Sequence, residues 1–335
     1  AVAGTHGKTT TTAILAHLLK ETGAEVTAFI GGIAENYQSN LILAGNKVMV
    51  VEADEFDRSF LKLSPNIAAI TSMDADHLDI YGQNEQLQES FRTFSQLLPE
   101  DGKLFFRNGL DLKGTTVGID DDADVIAENI KVEQGTYFFD LRLKNEPLKG
   151  FSLTLPGKHN LLNAVTALAM AVEYGSPKDK LAEALAGFKG VKRRFSYKIK
   201  TNDLVLIDDY AHHPAEIAAA HQAVREMHPG KEVLAVFQPH LFSRTRDFAG
   251  DFAKSLQDFD QIFLLDIYPA REKPIEGITS EWLLKKIDNP NKRLVEKEML
   301  SEEIKKANPQ IIMMLGAGDI GEEVETVKKA LLNEN

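Results

Sequence analysis

Apolar residues recur along the chain in blocks that predict short buried strands alternating with helices. Their spacing of three or four positions predicts a first helix that begins after residue 8 and ends near Gly23, and a second helix at residues 87–98. Between these helices, short apolar runs predict strands at 26–30, 47–51 and 66–71. We expect the first of these strands to end in a turn at Gly31 and Gly32.

The pattern changes after residue 103. Short alternating runs separated by Gly, Asn and Asp predict a small antiparallel meander between residues 103 and 155, and a further helix from about residue 158. Further on, apolar strands alternate regularly with helices, and the predicted strands are 204–208, 232–237, 261–267, 293–296 and 310–315. Such alternation is typical of a parallel, doubly wound sheet. We therefore expect an α/β protein with a boundary near Gly190 and domains at 1–190 and 191–335.

Composition narrows the possible functions. The chain has 335 residues, 43% of them hydrophobic, and a net charge of −12, which disfavours nucleic acid and membrane surfaces as partners. It contains no cysteine, which excludes disulfides and thiol chemistry. No apolar run approaches membrane-spanning length. We expect a soluble, cytoplasmic protein, and the sequence leaves its oligomeric state open.

Residues 3–12 read Ala-Gly-Thr-His-Gly-Lys-Thr-Thr-Thr-Thr and lead directly into the first predicted helix. Glycines allow a tight turn with convergent N–H groups, a helix N-terminus adds positive charge, and Lys8 supplies an ammonium, which together suit a polyphosphate. Thr9 is placed to hold a magnesium ion between the phosphates. The usual phosphate loop has a glycine where Val2 stands, so this loop is a variant. The alternative, a glycine turn before an ordinary helix, gives no packing reason for a lysine before a threonine run.

Acidic residues follow the second and third predicted strands. Glu-Ala-Asp-Glu occupies 52–55, and Asp-Ala-Asp-His-Leu-Asp occupies 74–79. Carboxylates and a histidine suit a catalytic divalent ion, and open α/β sheets build their sites at the carboxyl ends of strands. We therefore predict a metal site there. The plainer alternative for 52–55 is a charged loop after a strand.

Asn160 and Asn163 lie three residues apart, so they share one face of the helix predicted from residue 158. An amide side chain can form paired hydrogen bonds with an adenine edge. Taken alone, the two residues are better explained by a helix cap at Asn160 and a surface position at Asn163.

Polar residues also gather at strand ends in the second half of the chain. Asp-Asp-Tyr-Ala-His-His-Pro occupies 208–214, and Gln-Pro-His at 238–240 precedes Arg244 and Arg246. Arginines suit a carboxylate or phosphate, and histidines can transfer protons near neutral pH. The Gly-Ala-Gly-Asp-Ile-Gly run at 316–321 fits a dinucleotide fingerprint, but only 14 residues follow it, so we predict a strand-to-helix turn instead.

Together these motifs resemble the Mur ligases of peptidoglycan synthesis. The runs that carry the resemblance are, in chain order, Gly-Thr-His-Gly-Lys-Thr-Thr-Thr, Glu-Ala-Asp-Glu, Asp-Ala-Asp-His-Leu-Asp, His-Asn-x-x-Asn, Arg-Arg-Phe, Asp-Asp-Tyr-Ala-His-His-Pro and Gln-Pro-His-x-Phe-Ser-Arg-Thr-Arg. The resemblance covers nearly the whole chain. It implies a P-loop ATPase-type central domain with a small antiparallel meander, followed by a Rossmann-like C-terminal domain. We expect the family's N-terminal UDP-binding domain to be absent, since only Ala1-Val2-Ala3 precede the loop.

The resemblance implies an ATP-dependent ligation with Mg²⁺. ATP would phosphorylate the lactyl carboxylate of UDP-N-acetylmuramate, and the amine of L-alanine would then displace phosphate from the acyl phosphate. The implied ATP-binding residues are Gly4, Thr5, Gly7, Lys8, Thr9, Thr10, Asn160, Asn163, Arg194 and Asp209. The implied magnesium ligands are Thr9, Glu52 and His77. The implied substrate-binding residues are His77, Tyr210, His212, Arg244 and Arg246, of which His212 and Arg244 join Lys8 as catalytic residues.

Two departures from the family pattern refine this reading. Many relatives have Arg where this chain has Leu241, so one substrate contact is absent or is replaced, for instance by Arg246. No lysine lies between Gly82 and Gly102, where several sister ligases carry a modified lysine as a metal ligand, and this favours the alanine-adding branch. The alternatives left open are a recycling ligase that adds a tripeptide to the same sugar nucleotide, a P-loop kinase or NTPase, and a nucleotide-binding regulatory module.

Overall fold

Two units divide the chain, Ala1–Lys192 and Arg193–Asn335. The structure, a computed structural model, describes residues 1–74, 84–133, 135–144 and 146–332. Within these ranges no helix is both long enough and apolar enough to cross a membrane. Both units combine helices with largely parallel sheets, which confirms the predicted α/β class.

Strands and helices follow one another along the first unit. Its strands are β1 Val2–Ala3, β2 Val26–Ala34, β3 Ser39–Leu43, β4 Val48–Val51, β5 Ile67–Ile70, β6 Lys103–Arg107, β7 Thr115–Ile119, β8 Val125–Glu133, β9 Thr136–Leu143 and β10 Glu146–Leu153. Its helices are α1 Lys8–Glu21, α2 Asn84–Ser95, α3 Lys158–Tyr174 and α4 Lys178–Ala186.

The main sheet of the first unit has the strand order β1-β5-β6-β7-β8-β9-β10. In this order, each pair of adjacent strands as far as β8 is parallel, whereas β8, β9 and β10 pair antiparallel. The predicted meander is therefore present at β8–β10, but its predicted start at residue 103 is wrong, because β6 and β7 extend the parallel part. Leu104, Phe105 and Phe106 of β6 are all buried, as expected for a strand covered on both faces.

A smaller sheet has the order β3-β2-β4. Strand β2 runs through both glycines to Ala34, so the turn predicted at Gly31 and Gly32 is wrong. Glycine at position 31 allows the Glu52 carboxylate to lie against the backbone of β2. Gly31 N donates to Glu52 Oε2 at 2.8 Å, and a Cβ on Gly31 would lie 2.4 Å from the same oxygen. The carboxylate of Glu52 is thereby fixed against the backbone of β2.

The segment that follows β4 is anchored by an aromatic core. A short 3₁₀ helix, Ser59–Lys62, places Phe60 against Phe91 and Phe94 of α2, with ring centroids 5.6 and 5.1 Å apart. Phe60 is only 1% exposed. This packing holds the acidic residues 52–55 close to the body of the first unit.

The second unit has its own sheet, flanked by helices. Its strands are β11 Ser196–Lys200, β12 Val205–Asp209, β13 Val233–Phe237, β14 Gln261–Leu264, β15 Lys292–Leu294 and β16 Ile311–Leu315. Its helices are α5 Pro214–Met227, α6 Phe242–Asp247, α7 Ala249–Gln257, α8 Ser280–Leu284, α9 Leu300–Ala307 and α10 Ile320–Leu332.

The sheet of the second unit has the order β11-β12-β16-β13-β14-β15 and is parallel except for β11 at its edge. Alternate strand residues pack into separate cores: Ile207 and Ala235 belong to one and Leu234 to the other. Helices therefore cover both faces, as predicted for a doubly wound sheet. The glycine run at 316–321 forms the predicted turn between β16 and α10 at residues 316–319 and enters α10 at Ile320, whereas β11 and α6 were not predicted.

We expect the Phe60→Ala substitution to destabilise the first unit by about 3–5 kcal/mol, because it removes a fully buried ring from an aromatic core. Urea unfolding monitored by circular dichroism measures this loss. Phe138→Ala is the matched control: Phe138 in β9 is 43% exposed, and we expect a change within about 1 kcal/mol there. Equal losses in the two variants would contradict the anchoring role of Phe60.

Candidate functional site

The phosphate loop joins β1 to α1 and is fastened to the end of β5. Thr5 Oγ1 donates to Asp74 O at 2.8 Å. Helix α1 begins at Lys8, directly after Gly7, whose φ of 87° turns the chain into the helix. The first N–H groups of α1 and the positive end of its dipole therefore lie at the loop, an arrangement that favours phosphate binding.

The Lys8 side chain folds back over this loop. Its ammonium donates to Gly4 O at 2.8 Å and to Glu55 Oε1 at 2.9 Å, and Glu55 Oε2 lies 2.8 Å away. Glu55 is fully buried. Sequence reasoning assigned a role to Glu52 and none to Glu55, whose one signal was its place in the Glu-Ala-Asp-Glu run.

Thr9 and Glu52 form a pair of hard oxygen donors beside the loop. Thr9 lies in the first turn of α1, and its Oγ1 donates to Glu52 Oε1 at 3.0 Å. Ala53, the next residue, donates its N–H to Val2 O at 2.8 Å, which ties the acidic segment to β1. A hydroxyl and a carboxylate in contact are suitable ligands for Mg²⁺.

The third predicted magnesium ligand, His77, lies outside the described residues. Within the described ranges, no group of three His, Asp or Glu residues could hold a metal ion. The pair Thr9 and Glu52 therefore accounts for the part of the predicted magnesium site that the structure describes.

Asn160 and Asn163 are both buried, so the surface position considered for Asn163 is wrong. The helix cap considered for Asn160 is also wrong, because α3 begins at Lys158 after Gly157. Asn160 Nδ2 donates back to a backbone carbonyl at 2.7 Å, and a Cβ on Gly7 would lie 2.5 Å from Asn163 Oδ1. Helix α3 thus brings the Asn163 amide directly against the phosphate loop. Thr10, another of the residues implied to bind ATP, is buried in the first turn of α1.

In the second unit, Asp209 ends β12 and organises the chain around it. Its two carboxylate oxygens accept the N–H groups of Phe195 and Ala211, each at 2.7 Å. Burial raises the pKa of Asp209 to about 6, although the Arg194 guanidinium and the two N–H groups favour the charged form. Asp209 therefore joins the Arg-Arg-Phe run to the start of the histidine motif.

The Tyr210 ring lies close to two arginines. The guanidinium carbons of Arg193 and Arg194 are 5.0 and 5.2 Å from the centre of its ring, within the range of cation–π attraction. Tyr210 N also donates to Arg193 O at 2.7 Å. The residues predicted for ATP and for the amino acid are thus contiguous at this strand end.

The two histidines after Tyr210 have different roles. His213 caps helix α5. Its ring Nδ1 accepts from the N–H of Ala215, and the Glu216 side chain accepts from the N–H of His213. The His213 Nδ1 is therefore engaged in capping the helix. The ring of His212 contacts Tyr210 edge-on at 5.3 Å, and its Nδ1 lies 3.0 Å from Tyr210 O. Of the histidine pair, His212 is the residue that faces the other predicted site residues.

Helix α6 brings Arg244 to this group. Arg244 is buried, and its Nη1 lies 3.4 Å from His240 Nδ1, while the rings of His240 and His212 are 5.9 Å apart. Arg246 lies elsewhere on the same short helix: its half-exposed side chain pairs with Asp247 at 2.7 Å. The structure therefore brings Tyr210, His212 and Arg244 together, without Arg246.

Burial, together with the neighbouring His212, Arg244 and Arg271, lowers the pKa of His240 to about 4, so His240 is neutral at physiological pH. Its ring stacks on Tyr268 at 5.7 Å. Tyr268 follows β14 by four residues and carried no sequence signal, because only the fold brings it to the end of β13. The buried Leu241 precedes α6 with a φ of 71°, an uncommon backbone conformation for a side chain of this size.

Comparison with known proteins identifies the family. The Mur ligase middle domain matches residues 2–171, and the glutamate ligase domain of Mur ligases matches residues 193–320. The chain is 70% identical over 334 residues to UDP-N-acetylmuramate–L-alanine ligase of Christiangramia forsetii, covering 100% of this chain and 74% of the relative. This chain belongs to the Mur ligase family.

Solved structures of Mur ligases share its fold. The crystal structure of UDP-N-acetylmuramate-alanine ligase from Thermotoga maritima is similar with a TM-score of 0.82 at 28% identity, over 100% of this chain and 75% of that one. A MurF ligase from Thermotoga maritima in complex with ADP is similar with a TM-score of 0.77 over 100% of this chain and 80% of that one. At 19% identity, the second likeness concerns the fold alone.

In this Mur ligase chain, we expect Gly7→Ala to abolish ATP binding at the phosphate loop, because the new Cβ would lie 2.5 Å from Asn163 Oδ1. The measurement is the rise in melting temperature on adding ATP, which should be lost. Gly23→Ala is the control, since Gly23 at the other end of α1 has a φ of 94° and open space around it. It should cost about 1–2 kcal/mol of stability and keep the response to ATP. An intact response in Gly7→Ala would refute the loop assignment.

We also expect Asp209 to make the stability of the second unit depend on pH. Its pKa is near 6 in the fold and has an ordinary value of 3.8, so between these values the folded state holds a proton that the unfolded state releases. The free energy of unfolding due to this group is therefore greatest below its ordinary pKa and falls as the pH rises through about 6. Urea unfolding of the wild type and of Asp209→Asn across this range measures the difference in slope. Parallel pH profiles would count against a raised pKa.

Proposed function

We propose that this chain joins L-alanine to UDP-N-acetylmuramate in an ATP-dependent reaction of peptidoglycan precursor synthesis. The observation that carries the proposal is the 70% identity, along the whole chain, to a relative named for this ligation. The geometry supports the ATP-dependent part, since Lys8, Thr9 and the start of α1 meet at one phosphate loop. We place the reaction in the cytoplasm, where ATP is available.

The chemistry requires two displacements. An oxygen of the lactyl carboxylate attacks the γ-phosphorus of ATP, the bond from that phosphorus to the β–γ bridging oxygen breaks, and ADP leaves. The nitrogen of L-alanine then attacks the acyl carbon, the bond from that carbon to the phosphate oxygen breaks, and phosphate leaves. The amine must lose a proton before or during its attack.

For the first displacement we assign the phosphate contacts to the first unit. The Lys8 ammonium and the N–H groups around Gly4, Thr5, Gly7 and Thr10 stabilise negative charge on the phosphates. Thr9 and Glu52 are the residues that would hold a magnesium ion, which supplies further neutralisation of the phosphate charge when bound. The buried amides of Asn160 and Asn163 are assigned to the adenine side of the nucleotide.

For the second displacement we assign the amino acid to the second unit. The buried guanidinium of Arg244 suits the carboxylate of L-alanine, which it can bind bidentately. His212, held by Tyr210 O, is assigned as the acceptor of the amine proton. Arg194 and Asp209 lie at the same strand end and are assigned to ATP. These roles are proposed for a central ATP-binding domain at 1–190 and a C-terminal domain at 191–335.

A kinase or simple NTPase fits the first unit equally well. It leaves the group of Tyr210, His212 and Arg244 in the second unit without a role. A ligase that adds a tripeptide to the same sugar nucleotide would use similar residues, and the identity to an L-alanine ligase favours the single amino acid.

The test is phosphate release with ATP, magnesium and UDP-N-acetylmuramate, measured with and without L-alanine. Because the chain spans 74% of the relative, the assay uses the protein extended to the relative's length, alongside this chain itself. We expect release that depends on L-alanine and the appearance of the L-alanyl product by mass spectrometry. We expect Lys8→Met to reduce the rate on the order of 100-fold or more, because charge stabilisation at the transferring phosphate is lost.

Phosphate release that ignores L-alanine would overturn the ligase assignment in favour of an NTPase. Release stimulated by a tripeptide and not by L-alanine would replace it with the recycling reaction. Near-normal activity of Lys8→Met would refute the proposed phosphate loop.

A further inference from the structure

Glu55 contacts the Lys8 ammonium and has no part in the roles assigned above. Its carboxylate oxygens lie 2.9 and 2.8 Å from Lys8 Nζ, and its side chain is 0% exposed, against 13% for Lys8. Phe60 and the aromatic core around it fix the segment that carries Glu55. Burial of a charged carboxylate lowers the stability of the fold unless the charge is paired, so the Lys8 ammonium is what allows Glu55 to be buried here.

The Lys8 ammonium is already fully engaged. Its hydrogen-bond acceptors are Gly4 O at 2.8 Å, Thr5 O at 3.4 Å and Glu55 Oε1 at 2.9 Å, and an ammonium has three protons to donate. A phosphate oxygen that binds Lys8 must therefore displace or share one of them. The two carbonyls belong to the backbone of the loop, whereas Glu55 reaches Lys8 through a side chain. The carboxylate is the acceptor that can yield.

We propose that Glu55 is a positioning residue, which holds the Lys8 ammonium at the phosphate loop and competes with the phosphates of the nucleotide for it. This proposal rests on the function proposed above, because the competing phosphates are those of ATP. The contact holds a long, flexible side chain in one conformation, so its charge is in place when phosphoryl transfer begins. The same contact weakens nucleotide binding, since the carboxylate occupies Lys8 and repels phosphate in buried surroundings where water screens poorly.

A purely structural ion pair would have the same distances, but it would respond differently to loss of charge. Glu55→Gln keeps the length of the side chain and one oxygen that accepts from Lys8, while it removes the negative charge and replaces the second oxygen with an NH2 group. A structural role predicts a lower melting temperature with unchanged affinity for ATP. Competition predicts tighter binding of ATP together with a lower kcat, because Lys8 is released more readily and held less firmly.

The experiment is isothermal titration calorimetry of ATP with magnesium, on the wild type, Glu55→Gln and the matched control Asp57→Asn. Asp57 is exposed and lies two residues away, so its variant removes the same charge without touching Lys8. We expect the dissociation constant of Glu55→Gln to fall on the order of tenfold and that of Asp57→Asn to stay within about twofold of the wild type. In the ligation assay, kcat of Glu55→Gln should fall while its KM for ATP also falls.

Equal or weaker binding of ATP by Glu55→Gln overturns the competition, whatever its melting temperature. If Glu55→Gln does not fold, Glu55→Asp carries the same test, because it withdraws the carboxylate from Lys8 by one methylene. It should bind ATP more tightly than the wild type, and unchanged or weaker binding again overturns the proposal. A wild-type protein that binds no ATP refutes the proposed function itself, whereas binding that is unaffected by Glu55→Gln refutes only the role of Glu55.

Discussion

Because Gly7 and Gly31 have no Cβ, side chains from other segments can pack directly against the backbone at and beside the phosphate loop. At Gly7 the amide of Asn163 occupies the space that a Cβ would fill, and at Gly31 the carboxylate of Glu52 does the same. Helix α3 therefore approaches the start of α1, and the acidic segment approaches β2, at distances that other residues would not permit. The loop, the amides and the carboxylates form one packed unit because backbone and side chain meet directly.

Buried ionisable groups in this protein are either paired with an opposite charge or shifted in pKa by burial. In the first unit, charges are paired: the ammonium of Lys8 lies on the carboxylate of Glu55. In the second unit, the buried Asp208 carboxylate is likewise paired, with Arg193 and Lys198, whereas burial raises the pKa of Asp209 to about 6 and lowers that of His240 to about 4. Paired charges suit a site that exchanges one anion for another. A neutral imidazole beside the Arg244 guanidinium leaves the arginine as the cation of this pair.

Much of the fold follows from local pattern, because helices and buried strands depend on periodicity within a few residues. The predicted strands at 47–51 and 66–71 correspond to β4 and β5, and the predicted helix at 87–98 overlaps α2. The errors arise where distant residues decide the structure. Gly31 and Gly32 look locally like a turn, yet the role of Gly31 is set by Glu52, which lies 21 residues further on.

The candidate site shows the same division between local and distant information. The loop around Lys8 could be recognised from its spacing, since every part of it is contiguous in the sequence. Glu55 and Tyr268 could not be assigned from spacing, because their importance depends on which side chains the fold places beside them. The different contacts of His212 and His213 could not be predicted for the same reason, because the fold directs two adjacent histidines toward different partners.

The capping of α5 has a consequence for how this site can diverge. His213 and Glu216 start the helix, and the Glu216 carboxylate also accepts the N–H of His212 at 3.0 Å. The residues that begin the helix and His212, the proposed acceptor of the amine proton, therefore share one hydrogen-bond network. A substitution of Glu216 would disturb both the start of α5 and the backbone at His212, whereas a substitution of the His212 side chain leaves these backbone hydrogen bonds in place. The substrate preference of this site can therefore diverge at the His212 side chain without loss of the cap that Glu216 provides.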